Sequence, residues 1–251
     1  MMQGTYTAAL GILSQQQRLD TIANNLANLQ TVGFKNSRAD FKDALYRQMQ
    51  RPEDPQTNNL LKGHGTLVSG FVRSFSPGSY SETTSMTDMY IDGQGFFPVQ
   101  TPVGEILYTR AGNFQRSAEA DGDFLVTVEG YYVLDENGGR IDVGGNDIRI
   151  DPDGSCYRGV ETVPYARIQL VDFPNRNGLT AASANMFAQS DASGAPRAAD
   201  ARIDQYAIEG SNVSMADEFS RMIRASRIFQ LCSRALSTAD SMDQTAISTR
   251  R

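Results

Sequence analysis

Residues 5–29, TYTAALGILSQQQRLDTIANNLANL, decide the fold that this sequence predicts. Their apolar or small side chains recur at alternating spacings of three and four residues, with one polar break at Gln15. This rhythm is typical of a coiled-coil seam on a long helix. Leu10 and Leu13 lie off the seam, so a second apolar strip runs beside it that one partner helix would leave uncovered. The seam positions are Thr5, Ala8, Ile12, Gln15, Leu19, Ile22, Leu26 and Leu29.

The far end of the chain repeats this pattern. Ser214 followed by Asp217 fits an N-terminal capping box, and a helix is predicted from about residue 215 to 244. Its seam positions, again four and three residues apart, are Met215, Phe219, Met222, Ser226, Phe229, Ser233 and Leu236. The residues that widen its apolar surface are Ile223, Ile228, Leu231 and Met242. The two helices cannot bury all of this surface against each other, so we expect neighbouring molecules to cover the rest and a monomer to hold both ends loosely.

The middle of the chain predicts strands. From about 66 to 210, short apolar runs alternate with Gly, Pro, Asn and Asp, and ENGG at 136–139 is a hairpin signal. Between the first helix and this region, FKDALYRQMQ (41–50) suggests a short helix and RPEDPQTNNLLKGHG (51–65) an extended linker, because Pro52 and Pro55 oppose helix.

The predicted fold class is therefore α+β, with long N- and C-terminal helices forming a coiled-coil-like terminal domain and a central all-β domain. The expected domains are a terminal helical assembly domain, a linker or loop region and a central β domain, at 1–35 with 211–251, at 36–80 and at 81–210.

Composition excludes several classes of function. A net charge of -6 over 251 residues argues against nucleic acid as a partner. The two cysteines are far apart in the sequence and form neither a disulfide framework nor a metal-ligand pattern. An apolar run long enough for a transmembrane helix is lacking, so membrane insertion is not expected. The N-terminus lacks the basic region of a secretory signal, so we expect either a cytosolic protein or export without a cleaved signal peptide.

Five sequence blocks together resemble the flagellar basal-body rod and hook axial protein family. The blocks, in order, are ANNLANLQTVGFK (23–35), GQGFF (93–97), YTRAGNF (108–114), LVTVEGYYVL (125–134) and SNVSMADEFSRMIRASRIFQLCSRALSTADSM (211–242). Length and block order are most similar to the distal rod class, with proximal rod and hook-type members as alternatives.

The resemblance implies a structural subunit that polymerises helically into the rod and transmits torque from motor to hook. In that family the terminal helices form an inner tube with the β domain outside, and the flagellar type III apparatus exports the subunits. The implied partners are further copies of the chain, other rod and hook proteins, the export apparatus and the bushing ring proteins, in the basal body of the cell envelope. The resemblance implies no cofactor, no metal and no catalytic residue.

Three asparagines in the first helix fit this interpretation. Asn24 and Asn28 share a helical face, and buried amides require partners, so they are candidates for bonds between subunits. The alternative is a local cap at the helix end by Asn28. We expect Gly33 to supply a left-handed or closely packed turn that ends the helix, and Phe34 to fill the junction. The expected assembly interface comprises Ile12, Leu19, Ile22, Asn24, Asn25, Leu26, Asn28, Leu29, Gly33, Phe34, Phe219, Met222, Ile223, Phe229 and Leu236.

Arg221, Arg224 and Arg227 form a basic row with Asp217 and Glu218 one turn earlier. This row predicts an exposed, salt-bridged face; the alternatives are ion pairing between subunits in the tube or a lining of its channel.

Motifs for catalysis are weak. GQGFF (93–97) lacks the glycine spacing of a nucleotide-binding loop. In DPDGSCYRGVE (151–161) the glycine and the last acidic residue do not stand at the positions that a calcium-binding loop requires. The single histidine, His64, lies in a glycine-rich stretch with no motif for a catalytic nucleophile near it. An enzyme that cleaves cell-wall glycans with paired carboxylates stays open as a rival, as does a binding module with ordered ends.

Overall fold

The computed structural model describes residues 2–44, 47–48, 61–119, 122–144, 147–159 and 161–249. The fold is α+β, as predicted: an N-terminal helix, a β-rich middle and a C-terminal helix. The chain forms two compact units, which we call the helical unit and the β unit. The helical unit comprises Met1–Ala27, Ser37–Arg73 and Ser214–Arg251, and the β unit comprises Asn28–Asn36 and Ser74–Val213.

The helical unit contains two helices and two β-ladders. Its elements are α1 (Met2–Ala27), β1 (Ser37–Asp43), β2 (Arg47–Gln48), β3 (Leu61–Lys62), β4 (Thr66–Arg73) and α2 (Met215–Thr249). Strands β1 and β4 pair antiparallel with an irregularity between Asp40 and Phe41, and β2 pairs antiparallel with β3. Helix α1 contacts α2, β1 and β4.

The boundaries differ from the prediction in several places. Helix α1 ends at Ala27 rather than 29, and α2 continues to Thr249 rather than 244. The helix predicted at 41–50 is wrong where the structure describes this segment, because Phe41–Asp43 complete β1 by pairing with β4 and Arg47–Gln48 form β2. Of the predicted linker 51–65, residues 51–60 lie outside the described residues and Leu61–Lys62 form β3.

The β unit is built from short antiparallel strands. These are β5 (Tyr80–Glu82), β6 (Met89–Asp92), β7 (Phe97–Gln100), β8 (Ile106–Thr109), β9 (Gln115–Glu119), β10 (Gly122–Val126), β11 (Tyr132–Val133), β12 (Ile148–Ile150), β13 (Ser155–Arg158), β14 (Ala166–Arg167), β15 (Val171–Asp172), β16 (Thr180–Ala181), β17 (Met186–Ala188), β18 (Arg197–Ala198), β19 (Arg202–Gln205) and β20 (Ala207–Glu209), with one 3-10 turn at Arg176–Gly178. The largest sheet has the order β16-β17-β8-β7-β11-β10-β9. A smaller sheet is β12-β13-β14, and the pairs are β15–β18, β19–β6 and β20–β5.

Turn chemistry and alternating apolar residues explain these strands. The predicted ENGG turn is confirmed: the N–H of Asp135 bonds to the Gly139 carbonyl oxygen, and Gly138 has φ +76°. The strands bury a core that includes Met89, Ile91, Phe97, Val99, Leu125, Val133, Ile168 and Ile203. A second cluster consists of Phe96, Tyr108, Phe173, Leu179 and Phe187.

No helix among the described residues combines the length and apolar character that spanning a bilayer needs.

Candidate assembly surface

Helices α1 and α2 pack against each other through small residues. The Cys232 sulfur lies 3.2 Å from the position that a Cβ on Gly11 would occupy, so the helices approach closely there. On α2 the fully buried side chains are Glu218 and Ala225, seven residues apart, and Cys232 follows after another seven, half-buried. The buried row of α2 therefore repeats every seven residues.

This buried row is not the seam that the sequence predicts. Met222, Phe229 and Leu236 are half-buried, as seam residues would be, but Met215 and Phe219 are exposed. Met215 and Phe219 therefore belong to the apolar surface that a single subunit leaves uncovered.

Large apolar side chains consequently remain in solvent. Met215, Phe219 and Ile223 succeed one another at four-residue steps, each about half exposed. Among the side chains that the structure describes, the other large exposed apolar residues of α2 are Ile228, Leu231, Met242 and Ile247, and those of α1 are Tyr6 and Leu13. We call Met215, Phe219 and Ile223 the apolar row of α2. Contiguous exposed apolar surface of this kind is characteristic of sites that bind another protein.

The predicted interface residues divide by exposure. The exposed ones are Asn24, Phe219 and Ile223. The half-buried ones are Ile12, Leu19, Leu26, Asn28, Leu29, Met222, Phe229 and Leu236. The buried ones are Ile22, Asn25, Gly33 and Phe34. A single subunit therefore leaves only part of this set available to a neighbour without rearrangement.

Asn25 positions the strand that follows α1. Its side chain is 1% exposed, its Nδ2 donates to the Ser37 carbonyl oxygen at 2.8 Å, and its Oδ1 accepts from the Ser37 N–H at 3.0 Å. Both ends of the amide thus bond to one backbone residue at the start of β1. This buried asparagine is satisfied within the chain.

The segment after α1, which is the first part of the β unit, begins with a turn. Asn28 accepts a hydrogen bond from the Thr31 hydroxyl at 3.2 Å, and its carbonyl oxygen accepts from the Thr31 N–H at 3.2 Å. These bonds correspond to the local alternative for Asn28. Gly33 has φ +68°, as the predicted left-handed turn requires, but it lies six residues beyond Ala27, so it ends the connecting turn rather than the helix.

Gly33 occupies a position that admits no side chain. A Cβ built there would lie 2.4 Å from the Ala111 backbone nitrogen, and the Gly33 N–H donates to the Glu209 carbonyl oxygen at 2.7 Å. Phe34, the next residue, is 3% exposed. The predicted close-packed turn is confirmed.

Next to Gly33, the β unit buries three charged side chains together. Lys35 Nζ lies 2.6 Å from Glu209 Oε1, and Arg110 Nε lies 2.7 Å from Glu209 Oε2. The Gly78 N–H also donates to Glu209 Oε1, at 2.7 Å. Lys35 and Glu209 are each 1% exposed and Arg110 is 5% exposed. Glu209 therefore accepts three donors in a site closed to water.

The remaining donors of this cluster bond to backbone. Lys35 Nζ also donates to the Ser76 carbonyl oxygen at 2.7 Å. Arg110 Nη1 donates to the carbonyl oxygens of Gly93 and Gly95 at 3.0 and 2.9 Å. The cluster thus ties together chain segments that are far apart in the sequence.

Burial and charge oppose each other in this cluster. Burial lowers the pKa of Lys35, against the attraction of the Glu209 carboxylate. Burial by itself would raise the pKa of Glu209, but the charges of Arg110 and Lys35 outweigh it, and the net effect lowers the Glu209 pKa. Glu209 is accordingly held as a carboxylate.

Near this cluster, the Asn212 side chain joins three segments of the β unit by hydrogen bonds. Asn212 Oδ1 accepts from the Asn36 N–H at 2.7 Å, and Asn212 Nδ2 donates to the carbonyl oxygens of Ser74 and Ser76 at 2.9 and 3.1 Å. The Ser74 N–H donates to the Asn36 carbonyl oxygen at 2.9 Å. Three ends of the β unit's chain segments, at Asn36, Ser74 and Asn212, are therefore bonded to one another.

Sequence reasoning missed Lys35, Arg110, Glu209 and Asn212. Lys35 and Arg110 lie in the blocks VGFK and TRAG, but residue type alone does not mark them as buried, because Lys and Arg are mostly exposed and are almost never fully buried unless paired. Glu209 carries no local signal either, since its partners are remote in sequence.

The capping and charge predictions on α2 have direct counterparts in the structure. The Ser214 Oγ accepts from the Asp217 N–H at 3.4 Å, and the Glu218 N–H bonds to the Ser214 carbonyl oxygen at 3.0 Å. Arg221 Nη1 lies 2.7 Å from Glu218 Oε1, which matches the salt-bridged alternative for this residue.

The described residues contain no group of histidine, cysteine and acidic side chains that could hold a metal ion. The 151–161 segment forms a turn in which the Gly154 N–H bonds to the Asp151 carbonyl oxygen. Burial raises the pKa of Cys156 to about 12, so this thiol is a poor nucleophile.

Three protein-family models match separate parts of the chain. "Flagella basal body rod protein" matches residues 6–35, "Flagellar hook protein FlgE/F/G D1 domain" matches 90–157, and "Flagellar basal body rod FlgEFG protein C-terminal" matches 204–249. The first includes Gly33 and Lys35, the second includes Arg110 and the third includes Glu209.

Curated relatives align over nearly the whole chain. The flagellar basal-body rod protein FlgG of Borreliella burgdorferi is 36% identical over 96% of both chains. Proteins of the same name from Caulobacter vibrioides and Bacillus subtilis are 35% and 33% identical, over 97% and 100% of both chains.

Proposed function

The chain belongs to the family of flagellar basal-body rod proteins and is of the distal rod type, and from this premise we propose how the subunit assembles. It is a structural rod subunit and not an enzyme. In our proposal, copies polymerise helically, the terminal helices form an inner tube with coiled-coil-like packing, and the resulting shaft transmits torque from motor to hook.

The apolar row of α2 is the observation that carries this proposal. Phe219 and Ile223 are 48% and 54% exposed on a helix that already packs against α1. Removing apolar area from water stabilises by about 25 cal/mol per Å², so stacking copies through this row is favourable. A contact between two different surfaces of identical subunits extends into a helical filament when the rotation between successive copies does not close a ring.

Family membership supports the finer features of the proposal. The assembly domain is the pair of terminal segments, 1–35 and 211–251, with 36–80 as a connecting region and 81–210 as the outer β domain. The partners are further copies, other rod and hook proteins, the type III export apparatus and, around the rod, the bushing ring proteins. The subunit is exported without a cleaved signal peptide and acts in the cell envelope. Within the interface, Asn24, Phe219 and Ile223 contact a neighbour directly.

The test uses two substitutions on the apolar row. Phe219→Ser and Ile223→Ser are introduced together into the full chain, which is then expressed in a strain that lacks its own copy. Intact hook–basal bodies are counted by electron microscopy, and helix content of the purified chain is measured by circular dichroism. We expect helix content to be kept and rods to be lost.

Val103→Ser is the matched control, since Val103 is 89% exposed in a turn of the β unit. This variant should assemble rods as the unchanged chain does. Normal rods from the Phe219→Ser, Ile223→Ser chain would contradict the proposed interface.

A further inference from the structure

The chain passes between the helical unit and the β unit at four points. These crossings follow Ala27, Asn36, Arg73 and Val213. Any force that the backbone carries from one unit to the other therefore enters the β unit at the ends of its two chain segments, Asn28–Asn36 and Ser74–Val213. Segment ends open more readily than a folded interior unless specific contacts hold them.

One side chain of the β unit, Asn212, connects three of these four ends. Asn212 is the residue before Val213, and its Oδ1 accepts at 2.7 Å from the N–H of Asn36, the last residue of the first segment. Its Nδ2 donates at 2.9 Å to the carbonyl oxygen of Ser74, the first residue of the second segment. The Ser74 N–H donates to the Asn36 carbonyl oxygen at 2.9 Å, which completes a ring of bonds. We call Asn36, Ser74 and Asn212 the segment-end joint.

The buried charges of the β unit lie directly behind the segment-end joint. Lys35 precedes Asn36, and its Nζ bonds to the Ser76 carbonyl oxygen at 2.7 Å and to Glu209 Oε1 at 2.6 Å. The Gly78 N–H donates to the same carboxylate oxygen at 2.7 Å. Opening an end past Lys35 or Glu209 would leave one charge of a buried pair without its partner, which is strongly unfavourable.

We propose that the segment-end joint bears load: it holds the ends of the β unit closed while torque passes along the backbone between the two units. This inference rests on the proposed rod function and adds the place in the subunit that carries the torque. Without the Asn212 bonds, the ends would open locally under force, at a lower cost than unfolding of the whole unit. With them, opening requires loss of these bonds and then of the buried Lys35–Glu209 pair.

Gln205 supplies a matched control position inside the β unit. Like Asn212, it is a half-buried amide side chain. Its Oε1 accepts from the Ile150 N–H at 3.1 Å, and its Nε2 donates to the carbonyl oxygens of Met86 and Ile148 at 2.6 and 2.8 Å. The Asn212 amide likewise accepts from one backbone N–H and donates to two backbone carbonyl oxygens. The two side chains therefore differ mainly in place, because neither Gln205 nor its partners stand at a segment end.

The first test measures opening of the segment ends in the purified full chain by amide hydrogen exchange. Asn212→Ala should speed exchange of the Asn36 and Ser74 amides at least about tenfold, because these ends then open locally before the whole unit unfolds. Gln205→Ala should leave both amides as protected as they are in the unchanged chain. Equal protection of the two amides in all three chains would overturn the joint, whether or not the chain forms rods.

The second test asks whether the joint carries load in the rod. Both variants replace the cell's own copy in a motile strain and in a paralysed strain, in which rods assemble but do not turn, and intact hook–basal bodies are counted by electron microscopy. Asn212→Ala should match the unchanged chain in the paralysed strain and lose most of its rods in the motile one, whereas Gln205→Ala should keep its rods in both. Equal rod numbers for Asn212→Ala in the two strains, or an equal loss for Gln205→Ala under rotation, would overturn the load-bearing role.

A milder pair of variants decides the matter if circular dichroism shows that Asn212→Ala does not fold. Asn212→Asp keeps the acceptor for the Asn36 N–H and loses both donated bonds, and Gln205→Glu is the corresponding change at the control position. Only Asn212→Asp should lose rods under rotation, and any other pattern for the two variants would overturn the proposal. Failure of the unchanged chain to form rods in either strain would instead overturn the proposed function, and hydrogen exchange would still test the joint.

Discussion

Lys35 and Glu209 lie 174 positions apart in the chain, yet their charged groups meet at 2.6 Å with each residue only 1% exposed. The contact joins the segment that follows α1 to the strand that precedes α2. Arg110, from the middle of the chain, completes the cluster on the other carboxylate oxygen. The segment that leads from α1 into the β unit and the strand that leads from the β unit to α2 therefore meet at the buried Glu209 carboxylate.

Removal of that carboxylate is expected to be the most damaging single change in the cluster. Glu209→Gln leaves the charges of Lys35 and Arg110 buried without a counter-ion, which costs about 3–5 kcal/mol. Urea unfolding of the purified chain measures this loss. Asp40→Asn is the comparison, because the Arg38–Asp40 pair is exposed and should contribute about 0–1 kcal/mol. Equal losses from the two variants would show that the buried cluster does not hold the β unit.

A side chain at Gly33 is expected to destabilise the β unit for two reasons. Gly33→Ala forces an alanine into φ +68°, at about 1–2 kcal/mol, and drives its Cβ against the Ala111 nitrogen at 2.4 Å. Gly138→Ala is the matched control, because Gly138 has φ +76° but no atom within 4 Å of the added Cβ. Denaturant unfolding should give a loss for Gly33→Ala at least about 2 kcal/mol larger than for the control. A similar loss in both variants would contradict the close packing.

The two adjacent asparagines of α1 are expected to behave differently. Asn25→Ala removes both bonds to the Ser37 backbone and leaves that half-buried donor and acceptor unmet, at about 1–3 kcal/mol. Asn24 is exposed, so Asn24→Ala should cost less subunit stability than Asn25→Ala. If Asn24 contacts a neighbour, its variant should still reduce rod number in cells. Chemical unfolding and rod counts together separate these roles, and a loss of stability as large as that of the Asn25 variant would refute the distinction.

Acid is expected to weaken the β unit partly through Asp172. Burial opposes ionisation of this carboxyl group, but bonds from Arg176 and Arg197 outweigh it and lower its pKa from 3.8 to about 2. A lowered pKa means that the stabilisation is present above about pH 4 and disappears as pH falls towards 2. Asp172→Asn should therefore cost about 2 kcal/mol at pH 7 and much less near pH 2. Unfolding free energies at several pH values test this, and a pH-independent difference would exclude the ionic contribution.

Much of the fold is visible in local sequence patterns. The three- and four-residue rhythms predict both helices, Ser214 and Asp217 mark the start of α2, and ENGG marks a turn that the structure contains. These features depend on neighbours a few residues away, which is the range over which sequence patterns carry information. The predicted helix at 41–50 fails because pairing of Phe41–Asp43 with β4 overrides local helical preference.

Residues 5–29 and the C-terminal repeat by themselves determined that the chain has two long helices with more apolar surface than one partner can cover. The five blocks of sequence by themselves indicated the family. Tertiary structure alone decided which helical faces remain in solvent, because exposure depends on how α2 is rotated about its axis: Glu218 and Ala225 are buried, and Phe219 and Ile223 stay about half exposed. It alone also brought Lys35, Arg110 and Glu209 together, because pairing of buried charges depends on distances in space that no local spacing encodes.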